Sequence, residues 1–365
     1  MNKFNFKASV LMVLAVVFTL SSCKKDPKLK DADIPSTYNF ENVSYAGQTA
    51  RLAMLGEMTS LMKTGNSGSA VSASDLKNMF ANENTPFSSA DLNANSKNIE
   101  SKTFAADVAM FKTYMENLAS ISGTTTTAAE GTAGIATSGT KAYLVNENGV
   151  EYTQLIEKGL MGALAYYQIA AVYTSDAKIG NEVDNETVEP GKGTAMEHHW
   201  DEAFGYIGAN NTLDETSYKY HAKYSGKGQD AGLDTRTNLM QAFLAGRAAI
   251  SAKDMDRKNV EAANVRKYLE ETTVTTAIHY LNGAKADIAD YALACHQLSE
   301  AYAFIFSLKY NGEKKISDAD WTTVLSYLQN SAGNPDFANI TVANINSAID
   351  KLSSIYSLDA VKNTL

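Results

Sequence analysis

The sequence predicts an all-α protein, a helical bundle built either as one body or as two packed halves. Three observations carry that expectation. Apolar residues recur at helical spacing through most of the chain after Tyr45. No alternating apolar–polar run of useful length interrupts them, and no glycine-rich nucleotide loop follows a strand. The hydrophobic fraction is 44%, enough for a chain of this length to bury a large core.

The chain opens with Lys3 and Lys7, an apolar run over 10–20, and then Ser21-Ser22-Cys23. That order of charge, short apolar core and small residues reads as a secretory leader over 1–22. The apolar run is too short for a comfortable membrane span. Leu20-Ser21-Ser22-Cys23 resembles the end of a bacterial lipoprotein signal. The resemblance implies cleavage before Cys23, lipid on its thiol, and an envelope protein on the outer membrane, periplasmic or surface-exposed. Two or more acyl chains hold a protein at a membrane stably, where one does so only marginally. Lys24-Lys25-Asp26 is similar to the surface-export signals of some Bacteroidetes lipoproteins.

Residues 23–44 read as a flexible tether, with lysines, aspartates, Pro35 and no periodicity. Ala50, Ala53, Met54, Met58, Leu61 and Met62 mark a first helix stopping near Gly65. Ser72 with Asp75 suits a helix cap. Phe104, Val108, Phe111, Met115 and Leu118 repeat at the four-three spacing of a packed helix. The glycines and threonines of 121–148 predict a long irregular connection, of the kind that is often functional or mobile. A helix over 152–173 follows and completes a first bundle half, 45–175. An acidic loop over 176–193 reads as solvated and lacks the spaced signature of a calcium loop. The second half, 194–365, holds helices near 195–208, 236–252, 260–282, 287–309, 318–329 and 343–353. Thr194 with Glu197 forms a capping-box pattern, and Ser317 with Asp320 a weaker one.

Composition narrows function. The formal charge is −9, and loss of Lys3 and Lys7 with the leader takes it to −11, which argues against a nucleic-acid partner. With Cys23 lipidated, Cys295 is the only cysteine left, so no intrachain disulfide forms, and its apolar setting reads as a buried small hydrophobe.

The residues that point to chemistry are histidines followed by glutamates. In Met196-Glu197-His198-His199-Trp200-Asp201-Glu202, His199 and Glu202 share one edge of a buried helical stripe. His296 and Glu300 repeat the arrangement four residues apart. Glu157 sits beside Leu160, Met161 and Leu164, and Glu57 beside Met54 and Leu61. Helices that each turn one or two such groups inward build metal sites in bundles. The expected shell is therefore His199, Glu202, His296, Glu300 and Glu157. Its oxygen and nitrogen donors suit iron, with zinc, manganese or calcium as alternatives, and no organic cofactor is indicated. A structural hydrogen-bond role for each pair stays open beside the metal role. Arg247, in an apolar helix, is placed to neutralise one of these carboxylates. The His-Glu-x-x-His signature of metallopeptidases, serine elbows and thiol–imidazole pairs are absent, which leaves catalysis the minority expectation.

His199-Trp200-Asp201-Glu202 resembles the His-x-x-Glu motif of imelysin-like proteins, with Glu197 where imelysins usually carry glycine. That resemblance implies an imelysin-like helical bundle in an envelope protein associated with iron uptake. The wider string from Ala195 to Tyr206, together with Gly159-Leu160-Met161-Gly162-Ala163, is similar to the DUF4856 domain proteins, Bacteroidetes lipoproteins of unknown function, over residues 38 to the C-terminus. Two function classes follow. One is a lipid-anchored protein binding iron, another divalent metal or a metal-bearing ligand, with a metal-uptake or surface-protein partner. The other is a non-metallic surface binding or scaffold protein, with a metallopeptidase a more distant third.

Overall fold

The computed structural model describes residues 28–365, so the leader and Cys23 lie outside the described residues. Helix α1 (Ala46–Lys63) buries Met54, Met58 and Met62 as the spacing predicts and runs into a 3-10 turn at Thr64–Ser67. Gly68, with φ 84°, stops that turn in a conformation that costs glycine least. Helix α2 (Ala73–Ala81) starts at Ser72, whose hydroxyl accepts the Asp75 N–H at 3.2 Å. Helix α3 (Val108–Ile121) buries Phe111, Met115 and Leu118.

The expected irregular connection over 121–148 is corrected by a hairpin. Strands β1 (Gly134–Ser138) and β2 (Lys141–Val145) pair antiparallel, from Gly134 opposite Val145 to Ser138 opposite Lys141. Gly139 takes φ 59° at the first position of the two-residue turn, a left-handed conformation that glycine adopts without steric cost. Ala136 and Tyr143 face each other and both are buried. Five residues per strand gave too short an alternation to read, and the Ser138-Gly139 turn was the available signal.

Helix α4 (Tyr152–Leu160) continues as π-helix over Met161–Tyr166 and Gln168–Tyr173. Helix α5 (Ala195–Gly205) carries both bonds of its capping box: Thr194 accepts the Glu197 N–H, and Glu197 accepts the Thr194 N–H. Helices α6 (Thr235–Ser251), α7 (Met255–Ala286) and α8 (Tyr291–Ser307) pack side by side, α7 in the middle. Mid-helix threonines are poor helix formers. Here Thr272, Thr273, Thr275 and Thr276 are buried, and each donates its hydroxyl to the carbonyl four residues back. Helices α9 (Asp318–Ser326) and α10 (Val342–Tyr356) close the molecule, α10 against α7, and Ser317 caps α9 as expected.

The packing bears on two points of organisation. Residues 28–44, read as a flexible tether, pack on the body: Tyr38 is fully buried, its ring stacked 3.6 Å from that of Phe204. Of the two arrangements left open, one body or two packed halves, the packing favours one body. Helix α4 packs on α8 across residues 176–193, and one continuous apolar core runs from Tyr38 to Leu365. The fold is predominantly α-helical. Among the described residues, no helix is long and apolar enough to cross a membrane.

Candidate functional site

The capping box fixes the start of α5 and therefore the rotation of the His198-to-Glu202 segment. Trp200 points inward, donating its indole N–H to the Phe243 carbonyl at 3.0 Å, and a Cβ on Gly246 of α6 would lie 2.0 Å from its ring. Asp201 is fully buried and accepts from Tyr38 (2.8 Å) and from the Arg247 Nε (2.9 Å). Burial pushes the Asp201 carboxyl up to about 6, against the pull of Arg247 and Tyr38. Arg247 also reaches Glu197 at 2.7 Å. The expected neutralising role of Arg247 is thus real, but its carboxylates are Asp201 and Glu197 rather than the predicted ligands.

His199 and Glu202 flank that buried centre without bonding each other. His199 Nδ1 lies 2.7 Å from the Lys178 carbonyl oxygen, a contact that requires the proton on Nδ1. Its lone pair on Nε2 then faces the Lys178 ammonium at 3.5 Å. Burial, with Lys178 nearby, holds this imidazole below its ordinary value. Glu202 accepts instead from Gln48 (2.7 Å) and Tyr173 (3.1 Å).

The second pair lies in a different network, between α4, α8 and the hairpin. His296 Nδ1 is 2.6 Å from Glu151 Oε2, and its Nε2 is 3.7 Å from Glu300 Oε2. Glu151 is fully buried at the foot of α4 and accepts no ordinary surface solvation, so the imidazole is its charge partner. Lys158, also buried, stands 3.5 Å from Glu300 and 3.2 Å from Glu157. Tyr143 of β2 stacks over His296 at 4.1 Å between ring centres, and Ser138 of β1 ties the hairpin to Asp290 at 2.6 Å. Burial alone would pull His296 down, but its bond to Glu151 and the two carboxylates raise it. Burial raises Glu300, with Lys158 and His296 opposing. Lys158 is held above its usual value because Glu157 and Glu300 outweigh its desolvation.

The structure therefore brings together His296, Glu300 and Glu157 through Lys158, and leaves His199 and Glu202 in a separate network. The expected single shell of five ligands is not formed. Glu57 turns elsewhere, accepting from the Ser88 N–H and hydroxyl at 2.8 and 2.9 Å. Glu151 and Glu300 take opposite nitrogens of His296, so they do not converge on one point. Among the described residues, no group of three or more His, Cys, Asp and Glu side chains is arranged to hold a metal ion. Sequence reading missed Glu151, Lys158 and Lys178. Lys158 had a signal, a lone cation between Ile156 and Leu160, whereas Glu151 lies just before its helix and outside any stripe. Cys295 is buried, and desolvation pushes its thiol up to about 12, in keeping with a small core residue.

A family model described as "Domain of unknown function (DUF4856)" matches residues 35–358. Among curated proteins and solved structures, nothing matches this chain.

Proposed function

The chain belongs to the DUF4856 family, and we propose that it is a lipid-anchored, non-catalytic binding or scaffold protein of the cell envelope, in which the separate contacts of each histidine and glutamate fix helix register. One observation carries this reading. Each histidine–glutamate pair already has a lysine ammonium where a metal cation would be needed, Lys178 on His199 Nε2 and Lys158 on Glu300. A buried lysine held charged by two carboxylates supplies the compensating positive charge itself. After dialysis against Fe(II) or Zn(II), elemental analysis is expected to find no stoichiometric metal in wild type. One bound equivalent, lost in His199→Ala or in His296→Ala, would overturn the reading.

A second reading, uptake-linked binding of iron or of zinc, manganese or calcium, is supported by the orientation of His296. A carboxylate on one imidazole nitrogen with the other turned to a glutamate is how metal-binding histidines are often aligned. On that reading Lys158 must swing away, and Lys158→Met should raise metal uptake in the same assay.

Anchoring rests on Cys23. Wild type is expected to take up labelled palmitate and sediment with membranes, while Cys23→Ala does neither. Equal labelling of both would remove the anchor from the proposal.

A further inference from the structure

Apart from the His296 network, a cavity of ≈ 270 Å³ opens between α7, the 311–315 segment and the end of α10, lined by Arg266, Glu270, Glu271, Asn311, Lys315 and Tyr356 among others. That volume sits just under the roughly 300–1,000 Å³ typical of small-molecule pockets, so it suits a small ligand. Glu270 is the informative residue. It is 4% exposed, yet all its donors are neutral: the Lys315 N–H (2.8 Å), the Asn311 amide (2.8 Å) and the Tyr356 hydroxyl (2.5 Å). Among the described residues it forms no ion pair. A buried carboxylate without a counter-charge is costly, and three bonds to neutral groups do not cancel its charge. A carboxylate has about four acceptor sites, three of which these donors fill, and Glu270 is among the residues that line the cavity.

The rest of the lining has the opposite sign to spare. Arg266 and Glu313 satisfy each other at 2.9 Å. Lys315 is exposed and rests its ammonium 5.7 Å from the centre of the Tyr356 ring, and Lys267 lies 4.6 Å over Tyr268. Neither lysine is in an ion pair among the described residues. The cavity thus is lined by one buried anion and two exposed cations, none of the three in an ion pair among the described residues.

We propose that this cavity binds a small zwitterion, a free α-amino acid or a very short peptide. Its ammonium seats on Glu270 and the Tyr356 oxygen, and its carboxylate meets Lys315 and Lys267. Glu271, which Thr235 holds at 2.6 Å, borders the ammonium side. A simple amine lacks the group that the lysines need, and a simple acid would meet Glu270 with like charge. A bare divalent cation would meet three basic side chains beside the three carboxylates and would give Lys267 and Lys315 no partner. This inference gives a ligand class to the binding-protein reading above and rests on it.

Isothermal titration of the purified chain tests it, with L-alanine, L-leucine and Gly-Gly as probes and ethylamine and propionate as the one-charge controls. At least one zwitterion is expected to bind, with both controls at least about tenfold weaker, a difference of ~1.4 kcal/mol. Glu270→Gln should abolish the heat, and Lys315→Ala with Lys267→Ala should weaken binding about tenfold. If Glu270→Gln fails to fold, the double lysine variant, exposed at both positions, decides. No binding by any zwitterion overturns the site, as does ethylamine binding as tightly as alanine, or unchanged affinity in a folded Glu270→Gln or in the lysine variant. None of these outcomes bears on the membrane anchor or the metal content, which are read separately.

Discussion

His296 touches two carboxylates, a tyrosine ring and, through Glu300, a buried lysine, and that setting gives it a testable pH signature. Its native value is raised, so the folded chain keeps this proton to higher pH than the unfolded chain does. The stabilisation is complete below the unfolded value, near 6.5, and is lost as pH rises through the native one. Urea midpoints measured across that window are expected to fall with rising pH in wild type and to lose that component in His296→Gln. Lys158 is the stronger handle. Lys158→Met strips the cation from Glu157 and Glu300, and breaking one side of a buried pair costs about 3–5 kcal/mol. Adding Glu300→Gln to that variant should recover a large part of the loss, because the stranded charge goes with it. Full additivity in this cycle would show that the two groups do not interact. The residue types of this network were legible: His296 and Glu300 stood out by spacing alone. What they touch was not, because Glu151 comes from a distant loop end and Lys158 from a helix whose register only the packing sets.

At the scale of elements, the string Gly159-Leu160-Met161-Gly162-Ala163 marks where α4 changes from α- to π-helix. A π-helix is rare, and short stretches of it often mark functional sites. Here it lets backbone serve packing. The Met161 carbonyl accepts from His221 at 3.0 Å, and the Ala163 carbonyl from the Phe104 N–H at 2.8 Å. Gly162 makes room for α8: a Cβ there would lie 2.0 Å from Ser307 Oγ and 2.5 Å from its Cβ. Gly162→Ala is therefore expected to cost about 1–3 kcal/mol by thermal or urea unfolding, and Ser307→Gly in the same chain to return part of it. A neutral Gly162→Ala would mean that α4 and α8 slide apart freely. The two glycines were visible in sequence as a motif. Their reasons were not, since Gly159 is crowded by Phe111 of α3 and Gly162 by Ser307 of α8, 145 residues on.

Across the whole molecule, the segment before α1 is part of the body. Tyr38 fills a slot against Phe204 and donates to Asp201, which Arg247 pairs in turn. Asp201, next to Trp200, and Phe204, four residues after it, thereby clamp α5 between the N-terminal segment and α6. Tyr38→Ala should cost about 3–5 kcal/mol, as other large buried aromatics do, whereas Tyr38→Phe keeps the ring and should cost nearer 1–3 kcal/mol through the donor that Asp201 loses. Equal, small effects of both would show that the segment detaches without consequence. The sequence read these residues as linker because lysines, aspartates and a proline dominate them, and a single aromatic anchor has no period to detect.

Local rules written along the chain were enough for the helical class, most helix positions, and the caps at Ser72, Thr194 and Ser317, because spacing and capping act within a few residues. They also picked out the His–Glu pairs as unusual. Tertiary structure alone decided that the pairs lie in two networks, that a lysine faces each one, and that the hairpin covers His296. Those outcomes depend on how helices far apart in sequence rotate against one another. That rotation is set by the summed packing of a shared core, and no residue carries it in its neighbours.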